Sequence, residues 1–238
     1  MKLTQQKIVV IGGSSGIGKS VAALAFESGN EVILTSRDAQ KAERVAQEIG
    51  PGVKGWALDV DSEADVNAFF QQLEAIDHVY VAAGTTGLGA LTEGALDDHL
   101  LRFHTRFTGS LRVVRAALAK MNPGGSFVFT GGISTDRPIA GAWVSGLGTA
   151  SAEQLAKVLV PEFPHLRFNA VSPGYTDTPL WDAVLGDNKT AVLTEVASKI
   201  PTGKIATAEE VASAVVFLMS NPSVNGEVVH IDGGARFV

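Results

Sequence analysis

Seven short apolar runs punctuate the 238-residue chain, and between them apolar positions recur at helical spacing. The runs "KIVVIGG", "NEVILTS", "VKGWALD", "DHVYVAAG", "GSFVFTGG", "LRFNAVSPG" and "GEVVHIDGG" concentrate β-branched and aromatic residues, and most end in Gly, Asp or Ser. That pattern predicts seven strands. The segments "GKSVAALAFESG", "DAQKAERVAQEIG", "SEADVNAFFQQL" and "TAEEVASAVVFLMSN" predict amphipathic helices. Ser62 with Asp65, and Thr207 ahead of Glu209 and Glu210, read as capping boxes opening two of them. Apolar strands alternating with helices predict a doubly wound α/β fold, a seven-stranded parallel sheet with helices on both faces.

At this length one domain over residues 1–238 is expected, since two α/β domains would each lack a sufficient core. A net charge of −6 with dispersed Lys and Arg argues against nucleic acid or an anionic membrane as partner and favours a small-molecule substrate. The chain has no cysteine, so disulfides, thiol nucleophiles and thiolate metal sites are excluded. No metal site is expected. The first apolar run is too short for a signal-peptide core or a membrane span, which makes the cytoplasm the expected location.

Doubly wound sheets bind ligands beyond the C-terminal ends of their strands, so chemistry is sought in the loops there. "GGSSGIG" follows the first strand and opens a helix. Gly12, Ser14, Ser15, Gly16, Ile17 and Gly18 are therefore candidates to hold a dinucleotide pyrophosphate on the helix N-terminus. The second strand ends in Ser36 and Arg37 rather than an acidic residue, which suits the 2′-phosphate of NADP(H) better than the free hydroxyl of NAD. Asp59 and Val60 would flank an adenine, although an Asp there also serves a helix entry. Ala83 and Gly84 would lie beside a ribose, or simply end a buried strand. Pro173 and Gly174 form a rigid turn before Thr176 and Thr178, whose hydroxyls suit a carboxamide and phosphates.

Together these motifs resemble the short-chain dehydrogenase/reductase family along essentially the whole chain. Two positions depart from its pattern, Ile11 where a Thr usually precedes the first glycine and Ala82 where an Asn is usual. The resemblance implies nicotinamide-dependent redox chemistry, a homo-oligomer (dimer or tetramer), and a substrate lid at about residues 180–206. It also implies a catalytic Asn, Ser, Tyr and Lys. Alignment on "GSFVFTGG" and "ASAEQLAKVLVPEF" instead puts Gly132, Ser145 and Thr149 at the Ser, Tyr and Lys positions, and Arg106 at the Asn position.

A site without that phenol and ammonium cannot protonate an alkoxide in the usual way. An imine or iminium, or a carbonyl protonated by some other group, is the expected acceptor, because hydride addition to an iminium needs no concurrent proton. Arg106 could hold an anion through paired hydrogen bonds. Further candidates are Ser134 as a polarising hydroxyl, Asp136 as acid or counter-ion, and Tyr175 as a phenol near the nicotinamide. Each also has a plain reading as turn former or pocket wall. Trp143 and Trp181 are expected to shape the substrate pocket. Arg106, Asp136 and Trp143 together resemble a set used by fungal members of the family that also shape cycloadditions. Two other readings remain open at this point: a non-redox isomerase or cyclase using NADP(H) as a scaffold, and an NADP(H)-binding sensor without turnover.

Overall fold

The computed structural model describes residues 3–84 and 89–238; Met1, Lys2 and residues 85–88 lie outside the described residues. Strands β1 (Lys7–Ile11), β2 (Glu31–Ser36) and β3 (Lys54–Ala57) alternate with helices α1 (Gly16–Glu27) and α2 (Ala39–Ile49). Helix α3 (Glu63–Gln71) leads to β4 (Ile76–Val81), α4 (Leu96–Ala117) to β5 (Met121–Thr130), and α5 (Trp143–Val158) to β6 (Arg167–Pro173). The chain then runs through β7 (Thr176–Asp177), α6 (Leu180–Leu185), α7 (Lys189–Lys199), β8 (Ala206–Thr207), α8 (Ala208–Ser220) and β9 (Val228–Ile231).

The seven-stranded sheet has the order β3-β2-β1-β4-β5-β6-β9, and its pairings are parallel. Period-two alternation sends successive side chains to opposite faces. Val9, Ile11, Val79, Phe127 and Phe168 pack with α3, α4 and α5, while Ile8, Val10, Leu34, Val128 and Val171 pack with α1, α2 and α8. A sheet buried on both faces explains why the strands read as unbroken apolar runs. The order reverses between β1 and β4, and a crevice opens there above the strand ends. No described helix is long and apolar enough to cross a membrane.

Three details differ from the sequence pattern. β5 begins at Met121, before the apolar run, and its register with β4 shifts between Ile76 and His78. The short strands β7 and β8 pair outside the main sheet, through Thr176 with Ala206 and Asp177 with Thr207. Two residues are too few to show a period, so nothing in the pattern marks them, yet they fasten the two ends of segment 180–206 together. Ser62 caps α3 by accepting from the Asp65 amide, but the reciprocal capping box among the described residues is the one between Thr207 and Glu210.

At the base of the sheet the buried His78 donates from Nε2 to Gln6 Oε1 (2.6 Å) and accepts at Nδ1 from Ser126 Oγ (2.8 Å). Burial above all, with the charge of Arg167 adding and that of Asp77 opposing, lowers its pKa to about 4. A depressed folded-state value means that the unfolded chain binds the proton more readily. Stability from neutral His78 is therefore complete above about pH 6.5 and lost as pH falls toward about 4, a change of roughly 3 kcal/mol. Urea unfolding at about pH 7 and about pH 4.5 should show a larger acid loss for the native chain than for His78→Gln. Equal losses would refute the assignment.

Candidate active site

A cleft of about 820 Å³ lies over the C-terminal ends of β1, β4, β5 and β6. Its floor is the turn between β1 and α1, contributed by Gly12, Ser14, Ser15, Gly16, Ile17 and Gly18. Gly12 adopts φ +85°, and a Cβ there would stand 2.9 Å from the Ala83 amide nitrogen. A Cβ on Gly18 would collide with the Gly12 carbonyl oxygen. Glycine at both positions lets the helix start press against the strand end and leaves bare backbone toward the cleft. Ser15 caps α1 without a side-chain hydrogen bond, so the first-turn amides keep free donors for an anion.

Ser36 and Arg37 at the end of β2, and Asp59 and Val60 after the neighbouring β3, line one end of the cleft. Lys41 joins them, a second cation that the motif reading passed over. It lies in the first turn of α2, whereas Arg37 precedes the Asp38 cap of that helix, and both line the cleft. The nearby Asp38 carboxylate accepts from the Lys41 amide at 3.0 Å and is occupied as the helix cap. Asp59 accepts from the Asp61 amide (3.0 Å), so it also serves its turn.

Ala83 and Gly84 lead to the other end, where Pro173, Gly174, Thr176 and Thr178 line the wall. Gly174 donates to Ile231 O (3.0 Å), and a Cβ there would lie 2.9 Å from Asp232 Cα, so the turn after β6 leans directly on the end of β9. Tyr175 and Trp181 stack at 5.0 Å, and the indole donates to Thr176 O at 3.0 Å. Val184, Leu185, Val192 and Val196 from α6 and α7 make this wall apolar.

Arg106, in the middle of α4, reaches into the same cleft. A Cβ on Gly84 would meet its Cζ at 3.0 Å and a Cβ on Gly148 its Cδ at 3.1 Å, so the side chain lies in a slot between two glycines. Its Nη1 donates to Thr130 O at 2.7 Å, and among the described residues it has no carboxylate partner. Burial lowers its pKa from the usual arginine value, with Tyr80 opposing the shift. It remains a cation nonetheless, because a guanidinium does not release its proton in proteins. Tyr80, fully buried on β4 and missed by motif reading, also lines the cleft; its hydroxyl is 2.9 Å from Thr130 Oγ1. Burial pushes its pKa up to about 12, which removes it as a ready acid.

Gly132, Ser134, Ser145 and Thr149 all line the cleft. The Thr149 hydroxyl is turned back onto its own helix, at 3.0 Å from Ser145 O and 3.1 Å from Gly146 O, and accepts from Thr135. Two expected residues fall elsewhere. The short helical turn Ile133–Thr135 swings Asp136 outward, where it sits 2.9 Å from His230 Nε2 and outside the cleft lining. Trp143 begins α5 with its ring 5.4 Å from His99 and likewise does not line the cleft. Among the described residues no cluster of His, Asp and Glu could hold a metal.

Residues 11–236 match the family model described as enoyl-(acyl carrier protein) reductase. A human 3-oxoacyl-[acyl-carrier-protein] reductase is 30% identical over 237 residues, covering 96% of this chain and 97% of the relative. A small-chain dehydrogenase solved in complex with NADPH superposes with a TM-score of 0.87 at 28% identity, covering 98% of this chain and 100% of that one. MalC reductase/Diels-Alderase from Malbranchea aurantiaca gives 0.91 at 25% identity over 100% and 99%. A doubly wound sheet whose switch-point crevice carries a glycine turn and a helix N-terminus defines a nicotinamide-dinucleotide oxidoreductase class. The chain belongs to the short-chain dehydrogenase/reductase family.

Proposed function

We propose that the chain is an NADP(H)-dependent reductase that adds hydride to a C=O or C=N bond of a small, largely apolar molecule, with Arg106 stabilising the anion that forms. The bare glycine turn and uncapped start of α1 fit a pyrophosphate, and Arg37 with Lys41 fits a 2′-phosphate. When bound, the reduced cofactor supplies a hydride to the acceptor carbon, the double-bond electron pair moves to oxygen or nitrogen, and that atom takes a proton.

The observation that carries the reading is the Arg106 guanidinium, half-buried in the cleft wall without a carboxylate among the described residues. Of its five N–H groups one serves Thr130 O, and others remain to hold a developing negative charge in a site of low dielectric. With Tyr80 held neutral and Thr149 folded onto its helix, the proton comes from Tyr175 or from water. Asp136 outside the lining leaves a preformed iminium without its expected counter-ion, which favours neutral acceptors. Ser134 and Ser145 supply further hydroxyls along the cleft wall, and α6 with α7 serves as the lid. The likeness to a reductase/Diels-Alderase supports a second reading, a non-redox catalyst that uses NADP(H) as scaffold.

The two readings separate on cofactor consumption. Purified protein with NADPH and a panel of ketones and cyclic imines should lose reduced-nicotinamide absorbance with at least one member. NADPH should be preferred over NADH, and Arg37→Ala should lower that preference on the order of tenfold or more. Tight NADPH binding with no oxidation across the panel would rule out reduction of those acceptors. An unchanged preference in the variant would remove Arg37 from the phosphate site.

A further inference from the structure

Arg106 is not the cleft's only arginine with a spare charge. Arg137, just after β5, also lines it; its Nη1 donates to Ala235 O at 2.8 Å, and no carboxylate among the described residues pairs with it. The acidic groups nearby are engaged with other side chains. Asp136 faces His230 (2.9 Å), Asp232 holds Arg236 (2.9 Å), and Asp177 and Asp182 share Lys189 (3.0 and 2.9 Å). Lys199, the remaining cation of this end, is bound to Glu195. Glu153 is buried behind Gly131 and Gly132, outside the lining, and accepts from the Gly132 amide.

Much of the remaining lining at this end is apolar, with Ile139, Leu180, Val184, Leu185 and Val192 facing the same space. A wall with two guanidiniums, neutral hydroxyls and a large apolar share, and with its nearby carboxylates engaged elsewhere, is complementary to an apolar acid. We propose that Arg137 anchors a carboxylate carried by an otherwise apolar acceptor, whose reducible bond lies deeper, at Arg106. The substrate class is then an oxo acid or imino acid with a hydrophobic body. This rests on the reductase reading for the reducible bond and on Arg137 alone for the acid.

The test uses the full-length protein with NADPH and aliphatic oxo acids of increasing length between ketone and carboxylate, each beside its methyl ester. In the native protein kcat/KM should favour acid over ester at one spacing. Arg137→Leu should lower that acid-to-ester ratio on the order of tenfold or more, mainly through KM, and Arg137→Lys should restore part of it. A native ratio near one at every spacing, or a ratio unmoved by Arg137→Leu, would overturn the anchor. Calorimetric binding of a non-reducible fatty acid against its amide, to protein already carrying NADPH, tests the anchor without turnover. Acid binding lost in Arg137→Leu supports it even where no acceptor is reduced, and equal binding of acid and amide refutes it. Absence of NADPH oxidation with every acid and ester bears on the reductase reading instead.

Discussion

Arg106→Met is expected to lower kcat for NADPH-dependent reduction by about 100- to 1000-fold, roughly 3–4 kcal/mol of transition-state stabilisation. Methionine keeps much of the shaft that fits between Gly84 and Gly148 and removes the charge, so folding should survive the change. The donor is already placed by its bond to Thr130 O, so little reorganisation accompanies the reaction. It should therefore bind the developing anion far better than the neutral acceptor, and the loss should fall on kcat more than on KM. Arg106→Lys keeps a cation without the fork and should recover only part of the rate. Steady-state kinetics with the best acceptor of the panel, alongside thermal melting, reads both variants. Unchanged kcat in a folded Arg106→Met protein would make Arg106 a structural residue. A raised Kd for NADPH with unchanged kcat would move its role to the cofactor.

Gly18→Ala should cost more than any surface change, because the new Cβ has only the Gly12 carbonyl to move against. Backbone yields less readily than a side-chain tip. The first turn of α1 must tilt away from β1, at about 2–3 kcal/mol of stability, or roughly a 5–10 °C fall in melting temperature. The same tilt withdraws the amides intended for a pyrophosphate, so NADPH binding should weaken on the order of 100-fold. Calorimetric titration and melting, measured on the same preparation, check the two effects together. A variant with native stability and native NADPH affinity would show that the turn does not carry the cofactor. Ala at Gly52, where a Cβ meets nothing within 4 Å but φ is +94°, offers the contrast: a strained turn remote from the cleft, with NADPH affinity kept.

The sheet could be read from the chain because burial on both faces leaves its strands few polar positions, and seven such runs leave few other architectures. The glycine turn at the floor of the cleft could be read for a related reason. A close backbone approach requires glycine, and Gly12 and Gly18 record that requirement in residue type. The far half was less legible. Asp136 and Trp143 stand within a few residues of Ser134 and Ser145, yet one short helical turn and the start of α5 carry them out of the lining. No periodicity constrains the direction a side chain takes in a loop of that kind. Lys41 and Tyr80 were missed for the opposite reason. A lysine early in an amphipathic helix and a tyrosine in a buried strand are ordinary by pattern, and only the sheet order brings both to the crevice. The state of Arg137 depends on what Asp136 and Asp232 pair with, a three-dimensional fact with no local signature.

The cleft draws on the last strand of the sheet as well as the first. Gly174 leans on Asp232, Ala235 lines the wall, and Arg137 is held by the Ala235 carbonyl. That wall of the cleft is therefore a long-range assembly, complete only once β9 has docked beside β6.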